Sequence, residues 1–188
     1  RSFVNELKGK LETFRTLNNN EIRKLNDIAK KYNIKYHNKH KLDLVDEILS
    51  NVDVIPNSIA LAQAAIESGW GKSRFAKEYN ALFGEYTYDN SKGVIPLERE
   101  NGDTHLIKAF SSYSNSVESY FDNINSHYAY EEFRDIRNIM RKRNNFSNVN
   151  LLVNKLSTYA EDENYIKTIR QVIKTNSFGI FDQKTISY

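Results

Sequence analysis

The stretch from residue 58 to residue 68 reads Ser-Ile-Ala-Leu-Ala-Gln-Ala-Ala-Ile-Glu-Ser. It is apolar on nearly every face of a helix, and a helix of that kind is usually buried in the centre of a domain. Pro56 and the polar residues after it provide a normal helix start, and Gly69 provides a normal stop because glycine accepts a left-handed cap. The stretch therefore predicts a central buried helix that ends close to Glu67.

Helical spacing of apolar residues dominates the rest of the chain. The predicted stripes are Phe3-Leu7-Leu11-Phe14, Ile22 to Tyr32, Leu42 to Val52, Val117 to Ile124, Phe133 to Met140, Leu151 to Leu156 and Tyr165 to Ile173. The residues after 176 have no clear period and are predicted to form a tail.

One part of the chain has the spacing of strands instead. Residues 94–99 and 104–110 flank Asn101-Gly102, and Asn-Gly between two strand-like runs is a strong hairpin signal. Pro96 lacks a backbone N–H and would make the first strand an edge strand. The pattern predicts a mostly α (α+β) fold in which a small β-hairpin interrupts the helices.

Composition excludes several classes of protein. The 188 residues, 39% hydrophobic and 27% charged, fit one globular domain, and a net charge of +3 is too mild and too scattered for a typical nucleic-acid binder. The chain has no cysteine, which excludes a disulfide scaffold, a thiolate zinc site and a cysteine nucleophile. His37 and His40 lie in a Lys/Asn-rich stretch that reads as a solvated loop, so no metal and no cofactor are expected.

Glu67 is the most informative single residue. It ends an otherwise apolar helix, where burial and the partial negative charge of the helix C-terminus both favour its protonated form. A carboxylic acid that keeps its proton near neutral pH can protonate the leaving oxygen of a glycosidic bond. From the residues alone, a surface glutamate on a frayed last turn is an equally good interpretation.

Three separate segments around and after this helix resemble one enzyme family. The segments are Ala-Gln-Ala-Ala-Ile-Glu-Ser-Gly-Trp-Gly at 62–71, Asn-Ala-Leu-Phe-Gly at 80–84 and Tyr-Ala-Glu-Asp-Glu-Asn-Tyr at 159–165. They resemble glycoside hydrolase family 73, the bacterial endo-β-N-acetylglucosaminidases, over roughly residues 50 to 176. The run Gly-Val-Ile-Pro at 93–96 makes the arrangement most similar to the Bax branch and to the membrane-anchored cell-wall glucosaminidases of staphylococci.

The resemblance implies a lysozyme-like fold, with a helical lobe, a small β-hairpin lobe and a groove between them. It implies an N-terminal helical region at 1–52 packed on a catalytic domain at 53–176, followed by the tail at 177–188. The substrate would be peptidoglycan, cut after N-acetylglucosamine. The implied catalytic residues are Glu67, Glu98 and Tyr159, and the implied substrate-binding residues are Trp70, Phe83, Gly84, Glu100 and Tyr165.

The second catalytic group stays open at this point. Glu98, then Glu100, then Asp103 are candidates, because hydrolysis needs a group on the opposite face of the sugar. Two alternatives stand beside them. Those acids could simply solvate an edge hairpin, or the substrate's own N-acetyl oxygen could attack the anomeric carbon.

Two alternatives to the whole assignment also stand: a lytic transglycosylase or muramidase of the same fold, and a non-catalytic module that binds the cell wall. The chain begins at Arg1 rather than Met, and we expect an upstream signal or membrane anchor. We therefore expect the protein on the extracellular face of the envelope. The N-terminal helices could meet a membrane-protein partner there.

Overall fold

The computed structural model describes residues 1–96, 104–143, 145 and 148–184. Residues 183 and 184 are described by their backbone only. Its α-helices are α1 (Ser2–Glu12), α2 (Asn19–Lys31), α3 (Lys41–Asn51), α4 (Asn57–Glu67), α5 (Arg74–Tyr79), α6 (Tyr113–Ser126), α7 (Glu131–Lys142), α8 (Asn150–Val153) and α9 (Tyr165–Thr175). Its strands are β1 (Tyr86–Thr87), β2 (Gly93–Val94) and β3 (Leu106–Lys108), and 3-10 helices span Tyr128–Tyr130 and Phe178–Lys184. The mostly α class with a small β part is confirmed.

The chain divides into two compact units. The first unit comprises Arg1–Val54 and Asp122–Glu161, and the second comprises Ile55–Phe121 and Asp162–Tyr188. Among the described residues, no helix is both long enough and apolar enough to cross a bilayer.

The first unit has its own apolar core, formed by α1, α2 and α3. Its buried members are Val4, Leu7, Leu25, Ala29, Ile34, Leu44, Val45, Ile48 and Leu49. The helix α2 starts with a capping box in which the Asn18 side chain accepts from the Glu21 backbone and the Glu21 side chain accepts from the Asn18 backbone. The predicted stripes of α1 to α3 thus form a core around which the polar faces stay in solvent.

Two arginines of α7 bind the C-terminal end of α3 and the residues after it in the same unit. Arg137 has a relative exposure of 0%, and its guanidinium donates to the backbone carbonyls of Ser50, Asn51, Asp53 and Val54. Arg141 adds two bonds to the Asp53 carboxylate, at 3.0 and 2.7 Å. Burial lowers the pKa of Arg137 to about 9, against the opposing effect of Asp53. The cations satisfy carbonyls that a helix end leaves without intrahelical partners.

In the second unit, α4 is the buried helix that the sequence predicts. Ser58, Ile59, Ala62, Gln63 and Ala65 are all buried along it. Its start differs from the prediction of a local cap. Pro56 is the N-cap residue and makes no side-chain capping bond, whereas the carboxylate of Asp182 accepts from the Ser58 N–H at 2.8 Å.

The sheet of the second unit has three strands in the order β1-β3-β2, all paired antiparallel. Val94 pairs with Ile107 and Gly93 with Lys108. The predicted association of the strand-like runs at 94–99 and 104–110 is thus confirmed where β2 meets β3. The Asn101-Gly102 turn lies outside the described residues. Packing explains why position 93 is a glycine, because a Cβ placed there would lie 2.6 Å from Leu106 Cβ.

Two predictions about the chain's periphery are wrong. Phe14 does not belong to the α1 stripe, because α1 ends at Glu12 and Phe14 takes a φ of +58° with 99% of its surface exposed. The residues after 176 do not begin a tail either. They form the 3-10 helix Phe178–Lys184, which packs on α4 and α9.

Candidate active site

A left-handed turn fixes the end of α4 directly after Glu67. Gly69, Trp70 and Gly71 have φ values of +56°, +59° and +72°, so three consecutive residues take a conformation that L side chains rarely adopt. The Ser68 hydroxyl holds the turn, donating to the Ala64 carbonyl at 2.5 Å and accepting from the Gly71 N–H at 2.8 Å. Trp70 occupies the strained position of this turn, and its residue surface is 56% exposed.

The Glu67 carboxyl group is partly buried beneath this turn. The hydroxyl of Tyr165, the first residue of α9, donates to Glu67 Oε1 at 2.7 Å. Burial raises the pKa of Glu67, and the Tyr165 hydrogen bond opposes that effect. Burial, followed by the nearby Glu67, raises the pKa of Tyr165 as well, so this phenol keeps its proton and remains a donor. The pair can therefore hold a neutral acid and stabilise its carboxylate.

Gly84 faces the other oxygen of the same carboxyl group. A Cβ on Gly84 would lie 3.4 Å from Glu67 Oε2, and the backbone there has a φ of +61°. The next residue, Glu85, is buried, and its carboxylate is held by Lys108 Nζ and the Ser119 hydroxyl, each at 2.9 Å. That pair of contacts holds the residue after Gly84, and Gly84 itself presents no side chain to Oε2.

Comparison with known proteins assigns this arrangement to a family. Residues 42–178 match the family Glucosaminidase, described as mannosyl-glycoprotein endo-beta-N-acetylglucosaminidase. The chain belongs to the glucosaminidase family. The matched range begins in α3 and contains every segment that carried the resemblance in the sequence, so the predicted membership is confirmed.

Two curated relatives are similar over parts of their own length. Protein bax of Escherichia coli is 34% identical over 137 residues, which cover 73% of this chain and 48% of that protein. Peptidoglycan hydrolase FlgJ of Escherichia coli O157:H7 is 37% identical over 92 residues, 44% of this chain and 29% of that protein. This chain thus spans about half of the first relative and less of the second.

A solved structure has the same fold. The catalytic domain of the autolysin Auto from Listeria monocytogenes aligns with a TM-score of 0.51 and 20% identity, covering 96% of this chain and 86% of that one. At that identity the likeness concerns the fold, and it agrees with the predicted lysozyme-like class of the glucosaminidase family.

The structure brings three of the predicted site residues together. Tyr165 donates to one oxygen of Glu67, and a Cβ built on Gly84 would lie 3.4 Å from the other. Tyr165 has a relative exposure of only 3%, so it meets Glu67 rather than an open surface. Phe83, predicted to face substrate, is instead 3% exposed and stacks on Tyr120 with ring centroids 4.0 Å apart. Its place is in the core of the second unit.

The structure does not test the remaining predicted residues against that group. Tyr159 lies in the first unit, where its ring is 6.2 Å from that of Tyr130. Glu98, Glu100 and Asp103 lie outside the described residues. Within the part of the chain that the structure describes, no group of three or more His, Asp or Glu side chains could hold a metal ion.

Sequence reasoning missed two residues that touch this site. Gln63 is completely buried on α4 and donates from Nε2 to the Tyr165 hydroxyl at 3.0 Å, while its Oε1 accepts from Tyr120 at 2.7 Å. Gln63 precedes Glu67 by four positions, so both lie on one face of the helix. A single amide in an otherwise apolar helix was the available signal. Nothing in the local sequence marks Tyr120.

Proposed function

We propose that this chain is a peptidoglycan hydrolase that cleaves glycan strands after N-acetylglucosamine, with Glu67 as the general acid. One observation carries the proposal. In a member of the glucosaminidase family, the carboxyl group at the end of the central apolar helix has a pKa raised by burial and a single phenol donating to Oε1. Such a group can protonate the glycosidic oxygen as the bond breaks.

The similarity to a relative named peptidoglycan hydrolase supports the substrate class. Trp70 adds to this support, because an exposed indole offers a flat apolar face on which a sugar ring can stack. Trp70 follows Glu67 by three positions in the chain. Tyr159, from the family motif, is proposed as a further contact to the substrate or its intermediate.

The proposal is tested by digesting purified peptidoglycan and analysing the fragments by mass spectrometry. We expect fragments with N-acetylglucosamine at the reducing end. Fragments ending in 1,6-anhydro-N-acetylmuramic acid would instead identify a lytic transglycosylase, and reducing N-acetylmuramic acid a muramidase.

The role of Glu67 is tested by Glu67→Gln, which keeps the shape of the side chain and removes the transferable proton. We expect digestion to stop while the fold and the binding to sedimented peptidoglycan persist. The matched control is Glu78→Gln, an exposed glutamate of α5 in the same unit. Full digestion by Glu67→Gln would refute the assignment. Absence of digestion by the wild-type protein, with retained binding, would indicate a wall-binding module.

For the group on the opposite face of the sugar we propose Glu98, with Glu100 as its substitute and the substrate's N-acetyl oxygen as the alternative. Glu98→Gln and Glu100→Gln separate these possibilities. Loss of activity in one variant identifies the carboxylate. Retained activity in both variants, together with inhibition by a thiazoline analogue of the N-acetyl sugar, supports attack by the substrate.

We further propose that the protein acts at the extracellular face of the envelope, where its substrate lies. The region 1–52 could meet a membrane-protein partner, and the fully exposed Phe14 ring between α1 and α2 is a candidate contact. Cell fractionation tests the location. Cross-linking from position 14 in intact cells tests the partner, and an absence of specific cross-links would count against it.

A further inference from the structure

A continuous line of buried hydrogen bonds leads from α6 to the carboxyl group of Glu67. Tyr120 donates to Gln63 Oε1 at 2.7 Å, Gln63 Nε2 donates to Tyr165 at 3.0 Å, and Tyr165 donates to Glu67 Oε1 at 2.7 Å. Tyr120 and Gln63 are 0% exposed and Tyr165 is 3% exposed. The line therefore runs inside the core, where water does not compete for its bonds.

We propose that this Tyr120–Gln63–Tyr165 chain decides which oxygen of Glu67 carries the acid proton. It keeps Oε1 as an acceptor, so the proton resides on Oε2, the oxygen that faces Gly84. Tyr120 and Gln63 are then positioning residues of the reaction, acting through Tyr165. The inference rests on the proposed function, since it concerns the acid of that reaction.

The direction of the chain follows from the orientation of the Gln63 amide in the structure. A primary amide donates only from nitrogen and accepts only at oxygen. Because Gln63 gives its oxygen to Tyr120 and its nitrogen to Tyr165, the single proton of the Tyr165 hydroxyl points at Glu67. Reversal would require the amide to rotate and all of these bonds to invert together in a closed core.

The other oxygen has no side chain on the side of Gly84. A Cβ on Gly84 would stand 3.4 Å from Oε2. In the reaction, the Oε2–H bond breaks, the proton goes to the glycosidic oxygen, and that oxygen keeps the electron pair of its broken bond to C1. A nucleophile on the opposite face of the sugar forms the new bond to C1, with water as the final acceptor, and a proton from that water restores Glu67.

The chain also favours this step energetically. As Glu67 loses its proton, the bond from Tyr165 becomes a bond to a charged acceptor, which is shorter and stronger. An interaction that strengthens toward the transition state raises kcat rather than substrate affinity. Tyr120 does not touch Glu67. It strengthens the Tyr165–Glu67 bond indirectly, by holding the Gln63 amide so that its nitrogen donates to Tyr165.

The test removes the hydroxyl at the far end of the chain with Tyr120→Phe and measures the pKa of Glu67 directly. The readout is a ¹³C NMR titration of side-chain carboxyl groups, in which the Glu67 resonance is identified by its loss in Glu67→Gln. The titratable groups along the chain are Tyr165 from α9 and Tyr120 from α6, and Gly84 brings no charge to the opposite side.

We expect the pKa of Glu67 to rise by about half a unit in Tyr120→Phe. Without the Tyr120 donor, Gln63 Oε1 can accept from Tyr165, which then turns away from Glu67 and leaves its carboxylate less stable. The acid must be protonated to act, so the alkaline limb of the kcat profile moves to higher pH by the same amount. Tyr165→Phe sets the upper limit of the shift.

Two controls separate this effect from mere loss of packing. Phe83→Leu disturbs the ring that stacks on Tyr120 but removes no hydroxyl, so it lowers the Tm and leaves the Glu67 titration in place. Tyr113→Phe removes an exposed hydroxyl from the same helix and changes neither. An unchanged Glu67 titration in Tyr120→Phe, beside a clear shift in Tyr165→Phe, would overturn the proposal.

If Tyr120→Phe does not fold, the wild-type protein supplies the measurement. The buried Tyr165 hydroxyl proton exchanges slowly, and we expect its resonance to move downfield as Glu67 ionises. A Tyr165 hydroxyl resonance that does not shift as Glu67 ionises would also overturn the proposal. Both NMR readouts are independent of substrate, so a protein that fails to cut peptidoglycan can still confirm or refute the chain.

Discussion

Asp182 accepts a hydrogen bond from the backbone N–H of Ser58 at 2.8 Å, although 124 positions separate the two residues. The neighbouring contact joins Asn57 Nδ2 to the Phe181 carbonyl at 3.0 Å. Together they provide the helix start of α4 with the partner that Pro56 does not supply. The first turn of the central helix is thus completed by the C-terminal 3-10 helix.

Removal of this cap is expected to destabilise the protein. Asp182→Ala leaves the Ser58 N–H without its acceptor, and we expect the free energy of unfolding to fall by about 1 kcal/mol. Urea denaturation measures the change. Asp182→Asn keeps an acceptor oxygen and should retain most of the stability. Equal losses in both variants would mean that the charge, rather than the hydrogen bond, stabilises the helix start.

Glu67→Gln is expected to stabilise the fold at neutral pH while it removes activity. Burial raises the pKa of Glu67, so the folded protein binds this proton more tightly than the unfolded chain does. Stability therefore falls as the pH rises from the ordinary carboxyl range through the raised pKa. The gain in the variant should be less than about 1 kcal/mol, because solvent screens a partly buried group.

The pH dependence of that gain provides the check. Thermal unfolding of both proteins should show the difference at pH 7 and none below the ordinary pKa of a glutamate, where both states are protonated. A variant less stable than wild type at pH 7 would contradict the raised pKa.

Gly84→Ala should reduce activity by more than its backbone strain explains. The new methyl group would lie 3.4 Å from Glu67 Oε2 at a φ of +61°. Gly69→Ala is the matched comparison, because it has a φ of +56° with open space around the added atom. Each variant should lose about 1 kcal/mol of stability. We expect kcat to fall at least about tenfold further in Gly84→Ala, and equal kcat values in the two variants would exclude a role for the space over Oε2.

Gly93→Ala tests the packing of the small sheet. The added Cβ would lie 2.6 Å from both Leu106 Cβ and Thr87 Cγ2, so the strands must separate. We expect a loss of about 1–3 kcal/mol in the free energy of unfolding. Gly9→Ala in α1 meets no atom within 4 Å and should stabilise the protein by about 0.5–1 kcal/mol instead. A neutral Gly93→Ala would mean that the sheet is not held as described.

Arg137→Met probes the arginine contacts at the end of α3. The variant removes the guanidinium donor from the carbonyls of Ser50, Asn51 and Val54, and we expect a loss of about 1–3 kcal/mol. Arg143→Met, at an exposed position two residues after Arg141, should change stability by no more than about 0.5 kcal/mol. Urea midpoints compare the two, and similar values would show that the buried guanidinium is dispensable.

Much of the fold follows from local pattern. The apolar run at 58–68 predicts α4 and its end at Glu67, because helix periodicity and a following glycine are encoded within a few residues. The association of the two strand-like runs around Asn101-Gly102 was predicted in the same way, but their register, Val94 with Ile107, was not.

The rest depends on contacts between distant parts of the chain. Tyr165 reaches Glu67 across 98 positions and Tyr120 reaches Gln63 across 57, and no periodicity encodes such pairs. The strand Tyr86–Thr87 is too short to show a pattern, and the positive φ of Phe14 ends α1 without the glycine that usually announces such a turn. The family resemblance supplied Tyr165 and Gly84, whereas physical reasoning singled out Glu67 as a candidate and the resemblance then favoured its catalytic role.

Both ends of α4 are completed by residues that are translated well after the helix itself, Tyr165 at Glu67 and Asp182 at Ser58. A nascent chain that has emerged only as far as α6 therefore carries Glu67 without its phenol and the helix without its first-turn acceptor. The environment that raises the pKa of Glu67 is complete only after α9 has been translated.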